Sequence, residues 1–471
     1  MKKAVCLILS LAMLMTAGAC SQPAEESNSA AQPSQGENME ESAASEDNAG
    51  GETQEGDVHL TGEGESVIKY WYRFGGESEE WDKWRQEEFV KNNPEYTIEA
   101  TYVPPDCGVS NGKLLAAIAA NDVPDVINVA NTLSYPLAAQ GAFEDLTPYM
   151  EQLGRSREDY VDSVQSMLDI NGGWYLLPME TDTTLLYINN TLAKEAGLDP
   201  SNPPKTMSEL DEWAQKLTVA DGADIQTMGF IPWIDGGDDT YIYAWAFGAD
   251  LYDPANNTLN LASPEFVKAF QWEASYAQKY DPERIKSFTS AFGGAFSPDH
   301  AFFTNKVAMT INGNWFQNAI KEYAPDMDVS IVPMPVADDK EELYGACPLA
   351  VVTFACPKGA KNILGACKFV DYVGAAYIND DSAKTWYTAP TRKDAYEGLT
   401  LVEEKDPLYQ VIQSLVSNEH SETPVLTSIR SIMYDQIQSI RDQVIYDNSD
   451  PKVLLEELQP NMETELANLQ D

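Results

Sequence analysis

Basic residues are scarce. The 471-residue chain carries 30 lysines and arginines against 75 acidic side chains, a formal net charge of −45. Such a surface repels nucleic acid and anionic lipid headgroups, which excludes both as partners. Histidine is rarer still. His59, His300 and His420 are scattered, so no histidine zinc site can be assembled from neighbours in sequence. Cysteine is sparse for an exported chain: beyond Cys6 and Cys20 there are Cys107, Cys347, Cys356 and Cys367. None has metal-site spacing, and the last three sit in apolar surroundings as buried small hydrophobes do. No spacing assigns a disulfide, and the sequence calls for no metal and no cofactor. Beyond the leader, no apolar stretch approaches membrane-spanning length. No phosphate-cradling G-x-x-x-x-G-K-[ST] occurs either, so nucleotide hydrolysis is not this chain's work.

What is present begins with a targeting segment. Lys2 and Lys3 precede the apolar run Ala4 to Met15, and Thr16-Ala17-Gly18-Ala19 leads to Cys20. The run is short for a permanent anchor and right for an export signal. It resembles a bacterial lipobox, which implies a signal peptide over 1–19 and lipidation of Cys20 as the first mature residue. Ala17 departs from the large aliphatic residue usual three places before the cysteine. The alternative is an ordinary secretory signal cleaved near Ala19. Both place the protein outside the cytoplasm. Residues 20–65 are mostly Ser, Gly, Ala, Gln and acid, with no Lys or Arg between Lys3 and Lys69. That composition predicts a disordered acidic tether.

The body then alternates in period. Ser66 to Tyr72 reads as a strand, Glu79 to Lys91 as a helix, Thr97 to Val103 as a strand, Lys113 to Ala120 as a helix and Asp125 to Val129 as a buried strand. Such alternation predicts an α/β fold with a parallel sheet and crossover helices. Further helices are predicted near 207–217, 264–280, 360–373 and 428–445, and a last one starts at Asp450-Pro451.

Several segments carry a family resemblance in a fixed order. They are Leu114 to Val126 ("LLAAIAANDVPDV"), Gln140 to Tyr149, Gly173 to Pro178, Tyr187 to Asn190, Pro203 to Leu210 ("PPKTMSEL"), Val307 to Trp315 and Pro357 to Asn362. Together, over Val67 to Leu466, they resemble the family 1 extracellular solute-binding proteins of ABC importers, the maltose-binding-protein type. The resemblance implies a periplasmic-binding-protein-like fold, two α/β lobes around a ligand cleft, with crossings near Met179–Leu186, Thr310–Asn314 and Cys347–Val352. Carried over, the first lobe takes 66–180 and 312–348, and the second takes 181–311 and 349–471. It implies a monomeric receptor that delivers a carbohydrate to a membrane permease, with no cofactor.

A sugar offers apolar C–H faces and a rim of hydroxyls. Aromatic rings cover the first, and amide, carboxylate and guanidinium groups satisfy the second. Residues of those types at strand ends and crossings are the candidates: Trp71, Tyr72, Phe74, Glu77, Asn131, Glu180, Thr181, Asp182, Trp233, Asp235, Asp238, Trp245, Asn314, Trp315, Tyr387 and Arg392. Trp315 coincides with a ligand-stacking position of the family. Trp81, Trp84 and Trp272 lie in helical context and are expected to pack in cores. Asp235, Asp238 and Asp239 do not follow the spacing of a calcium loop.

Gly108-Val109-Ser110-Asn111-Gly112 matches G-x-S-x-G, but Pro104-Pro105-Asp106 makes a turn where a nucleophile elbow needs a central strand. A glycosidase needs only two carboxylates. A secreted carbohydrate-active hydrolase, or a receptor for another polar solute such as a polyol, glycerol phosphate ester or peptide, therefore remain the alternatives.

Overall fold

The computed structural model describes residues 58–469, apart from 76, 105–106, 110–111, 222–223, 235–238, 255 and 424. The signal peptide, Cys20 and the tether up to residue 57 lie outside the described residues. The tether ends earlier than its composition indicates. Val58–Thr61 forms strand β1, antiparallel to β3 (Tyr96–Tyr102).

The first half folds as its periodicity predicts. β2 (Ser66–Tyr72) turns Ile68, Tyr70 and Tyr72 inward, the alternation of a strand with one face packed on a core. It pairs in parallel with β3 and with β4 (Val126–Val129). Helix α1 (Glu77–Asn92) connects β2 to β3, and α2 (Lys113–Ala120) connects β3 to β4. Parallel neighbours require such crossovers. Phe89 of α1 packs with Tyr70 and Tyr72 in the core. α3 (Asn131–Ala139) leaves the C-terminal end of β4.

β5 (Leu177–Asn189) is different in kind. It has 13 residues, nearly all buried, so it lacks the alternation of a one-faced strand. Its two halves have different partners. Leu177–Thr183 pairs with β8 (Leu349–Ala355), which continues to β4 on its other side, and Glu180–Thr181 also pairs with β9 (Ala389–Pro390). Beyond Thr183 the partners are β6 (Met309–Gly313) and β7 (Val329–Pro333). Both pair with Leu185–Ile188, so they flank β5 on opposite edges.

Packing divides along the same line. One core joins Ile68–Met179 to Val351–Ile378, including α8 (Ile363–Val373). A second takes Leu186 and Ile188 from β5 with α4 (Met207–Leu217), α5 (Asp239–Ala246), α6 (Pro264–Tyr280), α11 (Arg430–Tyr446) and α12 (Pro451–Asn468). Leu185 and Tyr187, on the opposite face of β5, enter a third cluster. It holds α7 (Phe316–Tyr323), the end of α9 (Ala376–Trp386) and α10 (Pro407–Val416).

The lobe assignment carried over from the resemblance is corrected by this packing. Residues 312–346 stay with the second half of β5 instead of returning to the first lobe, because β6 and α7 pack there. Residues 351–378 pack in the first core, and 383–466 in the other two. The chain thus passes between the cores along β5, again near Cys347–Val351 and again near 379–389. The expected passage at Thr310–Asn314 is an ordinary return within one lobe.

Local chemistry explains one quoted motif. In Pro203 to Leu210, the Thr206 hydroxyl accepts from Glu209 N (3.3 Å) and the Glu209 carboxylate accepts from Thr206 N (3.3 Å). This capping box starts α4. Asp450 and Pro451 start α12 as the sequence indicates.

One buried group makes stability depend on pH. Glu273 on α6 is fully buried, and neither carboxylate oxygen has a hydrogen-bond partner. Burial pushes its pKa up to about 7, only partly offset by the Arg441 charge on α11. The folded state therefore keeps a proton that the unfolded chain loses near the ordinary value of about 4.3. The group's stabilising contribution is complete below that value and lost as pH rises through about 7. Glu273→Gln removes the ionisation. Melting curves of parent and variant are expected to diverge in the variant's favour between about pH 5 and about pH 8. Parallel curves across that window would contradict the assignment.

Candidate functional site

The passages between lobes are bound together by buried polar groups. Asn314 follows β6 and is fully buried. Its Oδ1 accepts from Thr183 N (2.6 Å) and Thr183 Oγ1 (3.3 Å). Its Nδ2 donates to Asp182 Oδ1 (3.2 Å) and Trp386 O (3.0 Å). Every polar atom of the side chain is engaged, so Asn314 acts as a brace between β5, β6 and α9. Glu180 accepts from Ser382 (2.5 Å) and Thr388 (2.7 Å). Burial raises its pKa, opposed by those two hydroxyls and the Arg85 charge. Thr181 donates to Ala389 O (3.2 Å). Thr391 donates to Pro178 O (2.7 Å) and Met179 O (2.9 Å).

Arg392 is spent in the same way. Its guanidinium donates to Asp371 O and Oδ1 (both 2.8 Å) and to both oxygens of Asp394 (2.9 and 2.7 Å), and it is 4% exposed. It ties β9's flank to the end of α8 and offers a ligand nothing. Tyr387, with its ring in the third core and Lys321 Nζ 4.5 Å from its centroid, is likewise a packing residue. So are Trp245, in the second core, and Tyr72, whose hydroxyl donates to Glu79 (3.1 Å). These four corrections have one cause: each side chain finds its partners on an element distant in sequence or within its own core.

The half-buried aromatics are placed differently. Trp71 is the penultimate residue of β2, with Lys113 Nζ 5.1 Å from its ring centroid. Phe74 lies just beyond, under the Arg73 guanidinium at 4.1 Å. Arg73 Nε in turn donates to Asn128 Oδ1 (2.9 Å) on β4. Both rings stand at the C-terminal end of β2, a parallel strand, and open α/β sheets bind ligands at such ends. Trp233 is half-buried against the second core. Trp315 stacks on Phe296 with centroids 4.9 Å apart and planes 20° apart. Its ring folds back over Gly313, where any Cβ would strike the indole nitrogen. Asp182 is half-buried beside Asn314. Asp235, Asp238 and Cys20 lie outside the described residues, as do the side chains of Glu77 and Asn131.

Two groups escaped the sequence reading. Phe296 gave only the weak signal of an aromatic in a Gly-rich loop. Arg430 gave a better one: a cation on the first turn of a helix opposes the helix dipole and needs another reason to be there. Arg430 is 1% exposed, with its guanidinium 5.9 Å from the Tyr241 ring, which stacks on Tyr434 at 6.1 Å. The lobes meet at this end of α11: it packs against α3, and Gln140 donates to Ser428 O (3.1 Å).

A cavity of about 290 Å³ between α4 and α6 contains none of these residues. Its carboxylates are already engaged. Asp211 accepts from Trp272 Nε1 (3.0 Å) and Tyr276 OH (2.6 Å), and Asp338 accepts from Ser208 (2.5 Å). Removing the Asn314 brace tests the account of the passages. Asn314→Ala strands several buried donors and acceptors, so it is expected to lower unfolding free energy by about 2–3 kcal/mol in urea titrations. A loss below about 0.5 kcal/mol would show that the brace is dispensable.

The model for the bacterial extracellular solute-binding protein family matches residues 75–376. Among curated proteins, the chain is similar to the sn-glycerol-3-phosphate-binding periplasmic protein UgpB of Escherichia coli strain K12. The two are 26% identical over 351 residues, 70% of this chain and 76% of that protein. The Shigella flexneri protein of that name matches over the same lengths at 25% identity. Among solved structures, CpMnBP1 with mannotriose bound superposes with a TM-score of 0.76 at 27% identity, covering 84% of this chain and 99% of that one. Maltose-bound T. maritima MalE3, at 20% identity and a TM-score of 0.68 over 85% of this chain and 100% of that one, shares the fold. The family model spans more than half of the chain, and the chain belongs to the bacterial extracellular solute-binding proteins, the substrate receptors of ABC transporters.

Proposed function

We propose that the protein captures an oligosaccharide between its lobes and delivers it to a membrane permease, without turning it over. The observation that carries this reading is the likeness to a mannotriose-bound receptor over 84% of the chain. Half-buried aromatics at Trp71, Phe74, Trp233 and Trp315 support it, because such faces suit sugar C–H groups. The passages at β5, near 347–351 and near 379–389 serve as hinges, and the lobes close on the ligand. The hydrolase alternative draws no support from the histidines. His300 is buried among Phe303 and Phe316, and its Nδ1 accepts from Phe302 N (3.2 Å).

Calorimetry with mannotriose and with sn-glycerol 3-phosphate tests the ligand class. Saturable stoichiometric binding of the first and none of the second is expected; the reverse pattern would overturn the sugar reading. Trp315→Ala refines it. Losing a buried aromatic anchor costs on the order of 2 kcal/mol, roughly thirtyfold in affinity. A near-normal melting point should accompany that loss. Unchanged affinity with a collapsed melting point would make Trp315 a core residue.

We also propose that Cys20 carries the lipid anchor, with the acidic segment after it as a spacer, and that the receptor acts as a monomer. A single acyl chain holds proteins to membranes only marginally, so a diacylated cysteine is the fitting form. Cys20→Ala is expected to move the protein from the membrane to the soluble or unprocessed fraction. Partitioning that does not change would contradict the anchor.

A further inference from the structure

The parallel sheet of the first lobe opens with β2 at Ser66, but the described residues reach it through an earlier strand. β1 runs first, in the opposite direction to β3, and β3 lies between β1 and β2. Val58 faces Thr101 on β3, and Thr101 faces Trp71 on β2, so the three residues stand in one row across the sheet. Ser66 stands opposite Tyr96, at the other end of β3. At about 3.3 Å per residue, β1 moves the point where the chain enters the body by about 17 Å, from the Tyr96 row to the Thr101 row. That end of the sheet is the one where Trp71 and Phe74 stand.

Specific contacts build this return. Gly62 has a φ of 95°, and a Cβ there would lie 2.8 Å from Tyr96 O. A Cβ on Gly64 would strike the Glu95–Tyr96 peptide. The turn therefore crosses the start of β3 at backbone contact. Gly64 O accepts from Thr97 Oγ1 (2.8 Å), and Ser66 N donates to Glu95 O (3.0 Å). On β1 itself, the His59 ring meets Tyr72 edge-on at 5.8 Å, and its Nε2 lies 3.2 Å from Gln86 Oε1 on α1. Val58 and Leu60 are exposed, so the strand brings no large aliphatic side chain to the core. What it settles is where the chain enters.

We propose that β1 is an orienting strap: it attaches the anchored segment at the cleft end of the first lobe and so turns that end toward the membrane. This rests on the reading that Cys20 carries the lipid anchor. Residues 20–57 hold no Lys or Arg, and the whole chain has a net charge of −45, so anionic lipid headgroups repel both segment and body. Electrostatic adsorption does not then orient the body, and the attachment point does. Attachment at Ser66 would put the membrane at the opposite end, with the sheet between it and the cleft.

Energy transfer from the body to an acceptor dye in the membrane tests this. Glu80→Cys places a donor label on the first turn of α1, at the cleft end, and Lys91→Cys places one on the last turn, about 16 Å away. Both positions are exposed, and the native cysteines among the described residues are buried. Each lipidated full-length protein is bound to vesicles of phosphatidylcholine and phosphatidylglycerol that carry the acceptor in the outer leaflet. Higher transfer from position 80 than from position 91 is expected. A variant lacking 58–65, with residue 57 joined to Ser66, is expected to reverse the order. Equal transfer from the two positions, or higher transfer from 91 in the intact chain, overturns the proposal. So does a folded deletion variant that keeps the parent's order. If the deletion variant does not fold, the two positions in the intact chain decide alone. Flotation of the same vesicles reports separately on the anchor. Protein that does not float overturns the lipid reading and the strap with it; protein that floats with the wrong order overturns the strap alone.

Discussion

Everything in this molecule depends on β5 being one continuous strand. Its first half is hydrogen-bonded to β8 and β9, its second to β6 and β7. The two cores on either side of that changeover share no cluster. A strand buried along nearly its whole length has no free edge and little room to slip, because a shift of one residue would exchange its two faces. Leu186 and Ile188 face one core while Leu185 and Tyr187 face another, so the register is fixed twice over.

The polar residues at the changeover follow from that constraint. Wherever strands from two lobes meet, backbone and side-chain groups are removed from water and must find partners. Asn314, Thr181, Thr391 and Glu180 supply them, and Arg392 secures the flank. On the proposed reading, recognition falls to the aromatics at the end of β2 and beyond β6, while the buried polar groups hold the geometry of the passages.

Much of the first lobe was legible in the sequence because its elements are local. Ser66 to Tyr72 alternates as a strand with one packed face, and Pro451 marks a helix start wherever it falls after a cap. β5 was not legible as a strand. Buried on both faces, it shows no period, and Glu180 to Thr184 looks like a polar passage. The lobe assignment failed after Asn312 for a related reason: which sheet a strand joins is decided by pairing with residues more than a hundred positions away. Arg392 looked like a ligand group because Asp371, its partner, is on another helix. Trp315 kept its place as a candidate, and its stacking partner Phe296 was visible only in three dimensions.

The central claim is that two lobes sharing β5 close on a solute held between them. Small-angle scattering measures this most directly, comparing the radius of gyration of the free protein with that of protein shown by calorimetry to be saturated with oligosaccharide. The account predicts a smaller radius in the saturated sample, because ligand binds the closed arrangement better and shifts the population toward it. A radius that stays the same at full saturation would contradict it.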